Sequence, residues 1–429
     1  MILNYISIQE LNFSKSYEDG LNKIKNLNSF DKFMTIFWLL GPFIYLIERD
    51  PADLWLTLIG IFFLSKCIKE KDWNWTSQIW FKSAVALWVF GLLSAITGPD
   101  PFFTFQQGFV WIRFPLYVAA AQVWLAKDRD IRIVMLLSML IGMLIMCTIL
   151  IAETLIASKT RLTWPYGDLV PGGYIAKVSL PLFCVLIAIA VSKKGKAGVI
   201  SGIIGLLSIG VSALAGERTN FLLRACGGIL SSIVWKPKFI MISALVLIEI
   251  LAVAAVFFSR PDLLTHYGKR FLNNMPLTNT SDNNPYWGAW RGGIQQALIT
   301  PIKGIGPSGT RNSCSNLDTN IPKWLPGKNY CGNHPHNFYI QLFAEVGIIG
   351  LSIGCLMFGS IIFTCYKARL DNFNCPMAAT AFVVPLGLFF PIQQFGSFYG
   401  QWGNLFMWFA IAFAVSQYQG WTKTKNLKK

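Results

Sequence analysis

Charge is scarce in this chain. Asp, Glu, Lys and Arg make up 14% of its 429 residues, against roughly 25% in an average soluble domain. Acids are scarcer than bases: 21 Asp and Glu stand against 37 Lys and Arg, and there are three histidines in all. The net charge of +16 is spread over many short segments rather than gathered on one face, so nucleic acid is not an expected partner. The first 32 residues are polar and include acids. They lack the basic start and apolar core of a cleavable signal peptide, and a cytoplasmic tail or surface helix is expected there. Neither an internal repeat nor a soluble terminal domain is visible.

Apolar residues fill the space that charge leaves. They form 54% of the chain, with a mean hydropathy of +0.48, and they cluster in long runs bounded by Lys, Arg and Pro. A bilayer core takes roughly 20 mostly apolar residues per helix. Runs of near that length are expected to span at 33–47, 52–66, 83–97, 102–126, 131–156, 174–192, 197–214, 219–234, 239–258, 338–365, 376–393 and 398–418. The expected fold is therefore an all-α integral membrane protein of about twelve helices. Two departures are foreseen: the first two runs as a single re-entrant hairpin, and a break within 338–365.

Basic residues set the orientation. With the N-terminus in the cytoplasm, alternate loops carry Lys66, Lys69, Lys71 and Lys82, then Lys127, Arg129 and Arg132, then Lys193, Lys194 and Lys196, then Lys236 and Lys238, then Lys367 and Arg369. The opposite loops read Gly-Pro-Asp-Pro at 98–101 and Gln-Phe-Gly-Ser at 394–397. This is the positive-inside pattern along the whole chain. It divides the chain into a cytoplasmic segment 1–32, helices over 33–258, a large loop 259–337 on the non-cytoplasmic side, helices over 338–418 and a cytoplasmic tail 419–429.

The 259–337 loop is where chemistry concentrates. It is rich in Asn, Pro, Gly and Thr and holds every histidine: His266, His334 and His336. It also holds Cys314 and Cys331, while the other cysteines lie in or beside apolar runs, where Cys acts as a small buried apolar residue. In an oxidising compartment the pair reads either as a disulfide, adding roughly 3 kcal/mol on the chain-entropy model, or as two free thiols. No metal is expected, because zinc wants three or four ligands at set spacing and His-x-His beside one Cys falls short.

Three features of the loop and its surroundings invite a functional reading. His334-Pro335-His336-Asn337 precedes an apolar run; it is either a proton-transfer site at a cavity mouth or a polar loop end. Arg218 lies in the short turn Gly216-Glu217-Arg218-Thr219-Asn220, on the same side as the loop. Arg270, Arg291 and Arg311 lie in the loop itself, and a guanidinium fork suits phosphate. Arg113 and Arg224 fall inside apolar runs, where charge faces a cavity or a partner; pairing of Arg113 with Glu153 and snorkelling of Arg224 are the plain alternatives. Finally, Trp287-Gly288-Ala289-Trp290-Arg291 opens an amphipathic helix over about 287–299 that ends at Pro301-Ile302-Lys303-Gly304-Ile305-Gly306. Its tryptophans either anchor at the membrane interface or stack on sugars.

These stretches give a specific resemblance. The topology, the Trp290–Gly306 stretch, His336-Asn337 followed after nine residues by Gly347-Ile348-Ile349-Gly350, and Arg218 at its short turn are together similar to the O-antigen ligase and polymerase superfamily of bacterial envelope glycosyltransferases. The resemblance implies transfer of a glycan from undecaprenyl diphosphate to a sugar hydroxyl of lipid A–core, on the periplasmic side of the inner membrane. It implies an inverting step without ATP, metal or cofactor, in which Arg218 binds the diphosphate and His336 activates the acceptor. Arg270, Arg291, His334, Asn337 and Trp290 are the implied substrate contacts. The chain departs from the pattern near Asn283–Tyr286, where many relatives carry an arginine; Arg270 or Arg291 would take that role. An O-antigen polymerase and a protein O-oligosaccharyltransferase share the architecture. A secondary transporter is the alternative from another class, and it would show internal repeats and paired broken helices.

Overall fold

The computed structural model describes residues 13–157, 159, 161–167, 171–192, 195–235, 239–274, 284–311, 334–392 and 396–418. Among these residues eighteen α-helices follow one another: α1 (Phe13–Lys25), α2 (Ser29–Leu39), α3 (Gly41–Ile47), α4 (Arg49–Glu70), α5 (Ile79–Ile96), α6 (Pro101–Trp111), α7 (Arg113–Trp124), α8 (Arg129–Ala157), α9 (Leu180–Ser192), α10 (Lys196–Leu214), α11 (Arg218–Trp235), α12 (Phe239–Ser259), α13 (Pro261–Asn274), α14 (Pro285–Ile299), α15 (Phe338–Asp371), α16 (Pro376–Thr380), α17 (Val383–Leu388) and α18 (Trp402–Val415). No strand occurs among the described residues.

Among the described residues five helices, α4, α5, α8, α10 and α15, are each long and apolar enough to cross a membrane, and the bent pair α2–α3 brings the number to six. Leu93, Leu155 and Phe258 lie exposed on the outside, as apolar residues facing lipid tails do. The protein is a multi-pass membrane protein.

Several expected runs are built from shorter pieces, and proline accounts for the joints. Proline lacks an N–H and its ring clashes with the carbonyl four residues back. Pro115 thus interrupts the 102–126 run at Trp111–Ile112, between α6 and α7. Pro385 interrupts the 376–393 run at Ala381, between α16 and α17. Pro181 does the same at Lys177, where the 174–192 run opens with a π-helical turn, Tyr174–Val178. At Leu40, Pro42 starts α3 afresh and the chain turns by 48°.

Several charged side chains are paired. Arg113 meets Asp53 of α4 at 2.7 Å, not Glu153, whose carboxylate accepts from the backbone N–H groups of Thr163 and Trp164. Nor does Arg224 snorkel. It is fully buried, donates to Ser179 Oγ at 2.7 Å and lies over the Phe183 ring at 4.4 Å. Lys66 bridges Asp31 and Glu70, and Lys23 ties α1 to the start of α8 through Asp128 and Asp130.

Candidate active site

The site rests on a break in α15. Gly347 has φ +64, a left-handed conformation that glycine adopts without a Cβ penalty. The break frees the carbonyls of Ala344 and Glu345, and the 301–309 strap takes them: Ile305 N–H donates to Ala344 O at 3.1 Å and Gly306 N–H to Glu345 O at 2.8 Å. Ile348 N–H donates back to Pro301 O at 2.8 Å. Backbone meets backbone so closely that a Cβ on Gly304 would sit 2.3 Å from Glu345 C, and one on Gly347 would sit 2.2 Å from Ile302 O. The Gly-x-Gly and Gly-x-x-Gly spacings of the sequence are here steric requirements of a seam.

Glu345 locks the seam from inside. Its buried carboxylate accepts from Ser308 N–H at 2.9 Å, Thr310 Oγ1–H at 2.6 Å and Gln341 Nε2–H at 3.0 Å. Gln341 continues the network by accepting from Phe398 N–H at 2.7 Å. Ser94 of α5 donates to both Lys303 O and Glu345 O.

One turn up, the His-Pro-His segment is held between α14 and α15. Asn337 caps α15: its Oδ1 accepts from Tyr339 and Ile340 N–H, and its Nδ2 donates to Pro391 O at 2.7 Å. Asn284 caps α14 in the same way. Gly293 of α14 lies against Pro335 and Ile340, where a Cβ would come within 2.7 Å of each. Pro335 restricts His334 to extended backbone, and His336 has φ +55. The turn brings both imidazoles to one side, with ring centroids 4.1 Å apart and His334 Nε2 3.1 Å from His336 Nδ1. Burial, the His336 ring and the Arg311 guanidinium push the His334 imidazole down to about 3, so it stays neutral at working pH.

Tyr286, on the first turn of α14, joins this pair to Arg218. The His336 ring meets the Tyr286 ring edge to face at 5.5 Å, and the Arg218 guanidinium lies over the same ring at 4.7 Å. Arg218 is 7% exposed. Beside it, Glu217 accepts from Asn220 Nδ2–H, and Lys177 on the π-helical turn lies within electrostatic reach of Glu217. A cation, an aromatic ring and two imidazoles from three separate stretches of sequence therefore meet at one place.

Arg291 and Trp290 are buried on α14. Arg270 belongs to α13, and its side chain lies outside the described residues, as do Cys314 and Cys331. Among the described residues no three His, Cys, Asp or Glu side chains group as a metal site. Tyr286 was missed by sequence reasoning, although it occupies the very stretch where the chain departs from its relatives' arginine. The Ser308–Thr310–Gln341–Glu345 network was missed outright, since no local spacing signals it.

Residues 203–355 match the family model described as O-Antigen ligase, Wzy_C. Over that segment, about a third of the chain, the protein is similar to the O-antigen ligase family. No curated protein matches it. The matched segment runs from α10 into α15, so Arg218, Tyr286, His334, His336 and the entire strap lie within it. That likeness and the apolar helices fit a membrane protein.

Proposed function

We propose that this protein is an O-antigen ligase that moves a glycan from undecaprenyl diphosphate to a sugar hydroxyl of lipid A–core. The observation that carries the reading is the shared ring of Tyr286, with Arg218 at 4.7 Å and His336 at 5.5 Å. A cation suited to phosphate oxygens and a group suited to taking a hydroxyl proton stand together inside the matched segment. In the step, His336 takes the acceptor proton as the hydroxyl oxygen attacks the anomeric carbon. The bond from that carbon to the diphosphate oxygen breaks, its electron pair leaves with the diphosphate, and Arg218 stabilises the developing charge. Attack from the far side inverts the anomeric centre. His336 then returns its proton to water. The basic loops favour a cytoplasmic N-terminus, about twelve crossings and a periplasmic 259–337 loop. Arg270 and Arg291 are proposed to contact the donor from that loop.

The test is transfer by the purified full chain in nanodiscs, with lipid-linked O-antigen and lipid A–core, in EDTA and without nucleotide. A glycan ladder on lipid A–core is expected. His336→Ala should lower it by about 10²–10⁴-fold, the usual contribution of general-base catalysis. Lengthening of the lipid-linked glycan with lipid A–core untouched would make the enzyme a polymerase. Modification of neither would return a protein acceptor or transport to the front.

A further inference from the structure

We infer that His334 is a positioning residue: its Nε2 accepts a hydrogen bond from His336 Nδ1–H and thereby holds His336 in the tautomer whose Nε2 takes the acceptor proton. This rests on the reading of His336 as the base. Two neutral imidazoles in contact can share a proton in either sense, and only one sense leaves a competent base. If His334 donated, His336 would carry its hydrogen on Nε2 and could take no proton there.

Three observations favour acceptance by His334. First, the contact is between His334 Nε2 and His336 Nδ1, at 3.1 Å, so it engages the nitrogen that the base does not use. Second, Pro335 and the left-handed backbone of His336 hold the two rings side by side, and Gly293 brings α14 down onto Pro335. The contact is therefore built into the turn rather than left to two mobile side chains. Third, Arg311 and burial keep His334 uncharged, which preserves its lone pair. Once His336 has taken a proton, its Nδ1–H must donate and His334 is the neutral acceptor in place. One hydrogen bond thus serves both protonation states of His336, and no ring flip is needed during turnover. A neighbour that sets the tautomer of a catalytic histidine is a known device, and losing the right tautomer lowers turnover by about 10⁴-fold in a serine protease. The partner there is a carboxylate; here it is a neutral ring, so a smaller effect is expected.

Two measurements test this. Ring nitrogen NMR of the full chain, labelled with ¹⁵N-histidine, is tractable because there are three histidines; His266→Gln and His336→Gln assign the signals. The expected result is protonated Nδ1 in His336, turning to a mixture of tautomers in His334→Leu. A protonated Nε2 in His336, or a tautomer indifferent to His334→Leu, overturns the inference. The second measurement is kinetics with lipid-linked O-antigen and lipid A–core, reading either product. His334→Gln keeps an acceptor at similar reach and should hold kcat within about 10-fold, whereas His334→Leu should lose about 10²-fold in kcat with KM within a factor of about two. If His334→Leu keeps kcat within about threefold of the wild type, the inference fails. Should His334→Leu not fold, His334→Asn takes its place, since its shorter amide does not reach Nδ1. The two readings fail separately: full activity in His336→Ala removes the base, while an inactive His336→Ala with a fully active His334→Leu removes only the positioning role.

Discussion

The seam at the α15 break and the cluster around Tyr286 are neighbours held by opposite means. The seam is backbone against backbone, with glycines where any Cβ would collide and a buried carboxylate accepting from three different donors. The cluster is side chain against side chain: rings and a guanidinium in stacking contact, with the two imidazoles in hydrogen-bond contact. Stacking orients groups through their faces. A hydrogen-bonded seam fixes position. The pattern matches the division that precise catalysis asks for, reactive groups on a frame whose own polar atoms are already satisfied.

The comparison is broken most severely by Gly347→Val. The left-handed φ and a Cβ 2.2 Å from Ile302 O leave no room, and loss of monodisperse protein on size exclusion is expected. Gly359→Ala, where nothing lies within 4 Å of the added Cβ, should be neutral. Arg218→Ala acts on the other region. Transfer should fall by about 10²–10³-fold, the usual cost of losing one transition-state donor, while the melting temperature stays put. Arg218→Lys should recover little of it, because an ammonium neither forks nor stacks as a guanidinium does. Full activity in either variant would take Arg218 out of the diphosphate site.

Glu345→Gln sharpens the contrast from the seam side. An amide nitrogen would face donors, leaving at least one buried group unsatisfied at a cost of about 1–3 kcal/mol. A lower melting temperature is expected, and an unchanged one would mean that the strap is held without its carboxylate. A further effect is one of pH. His334 titrates near 6.5 when unfolded and about 3 when folded. Between those values the unfolded chain binds the extra proton, so the stability contribution is complete above about pH 6.5 and is lost as the pH falls toward 3. His334→Gln should flatten that part of the melting curve against pH.

Much of this was legible in the sequence. Several apolar runs form helices long enough to span, and Arg218 and His336 were named together through the family resemblance rather than from any local spacing. What was not legible depends on contacts between distant segments. The 102–126 run reads as one span until Pro115 is weighed against its neighbours. Arg113 has two plausible acids, and only packing selects Asp53. Asn337 looks like a ligand beside two histidines and is occupied as a helix cap. Tyr286 carries no signal of its own, because an aromatic residue at a helix start is commonplace until Arg218 and His336 are seen against its ring.

The strap across the α15 break has a consequence for protein engineering. Trimming 301–309, or exchanging it for the loop of a relative, would strip the peptide carbonyls of Ala344 and Glu345 of their donors in a setting poor in water, where unsatisfied backbone is tolerated badly. The strap and the opening turns of α15 therefore form one indivisible cassette. A chimaera that transplants acceptor preference between relatives must cut outside both, before Pro285 and after Gly350, or inherit a helix with a hole in its backbone.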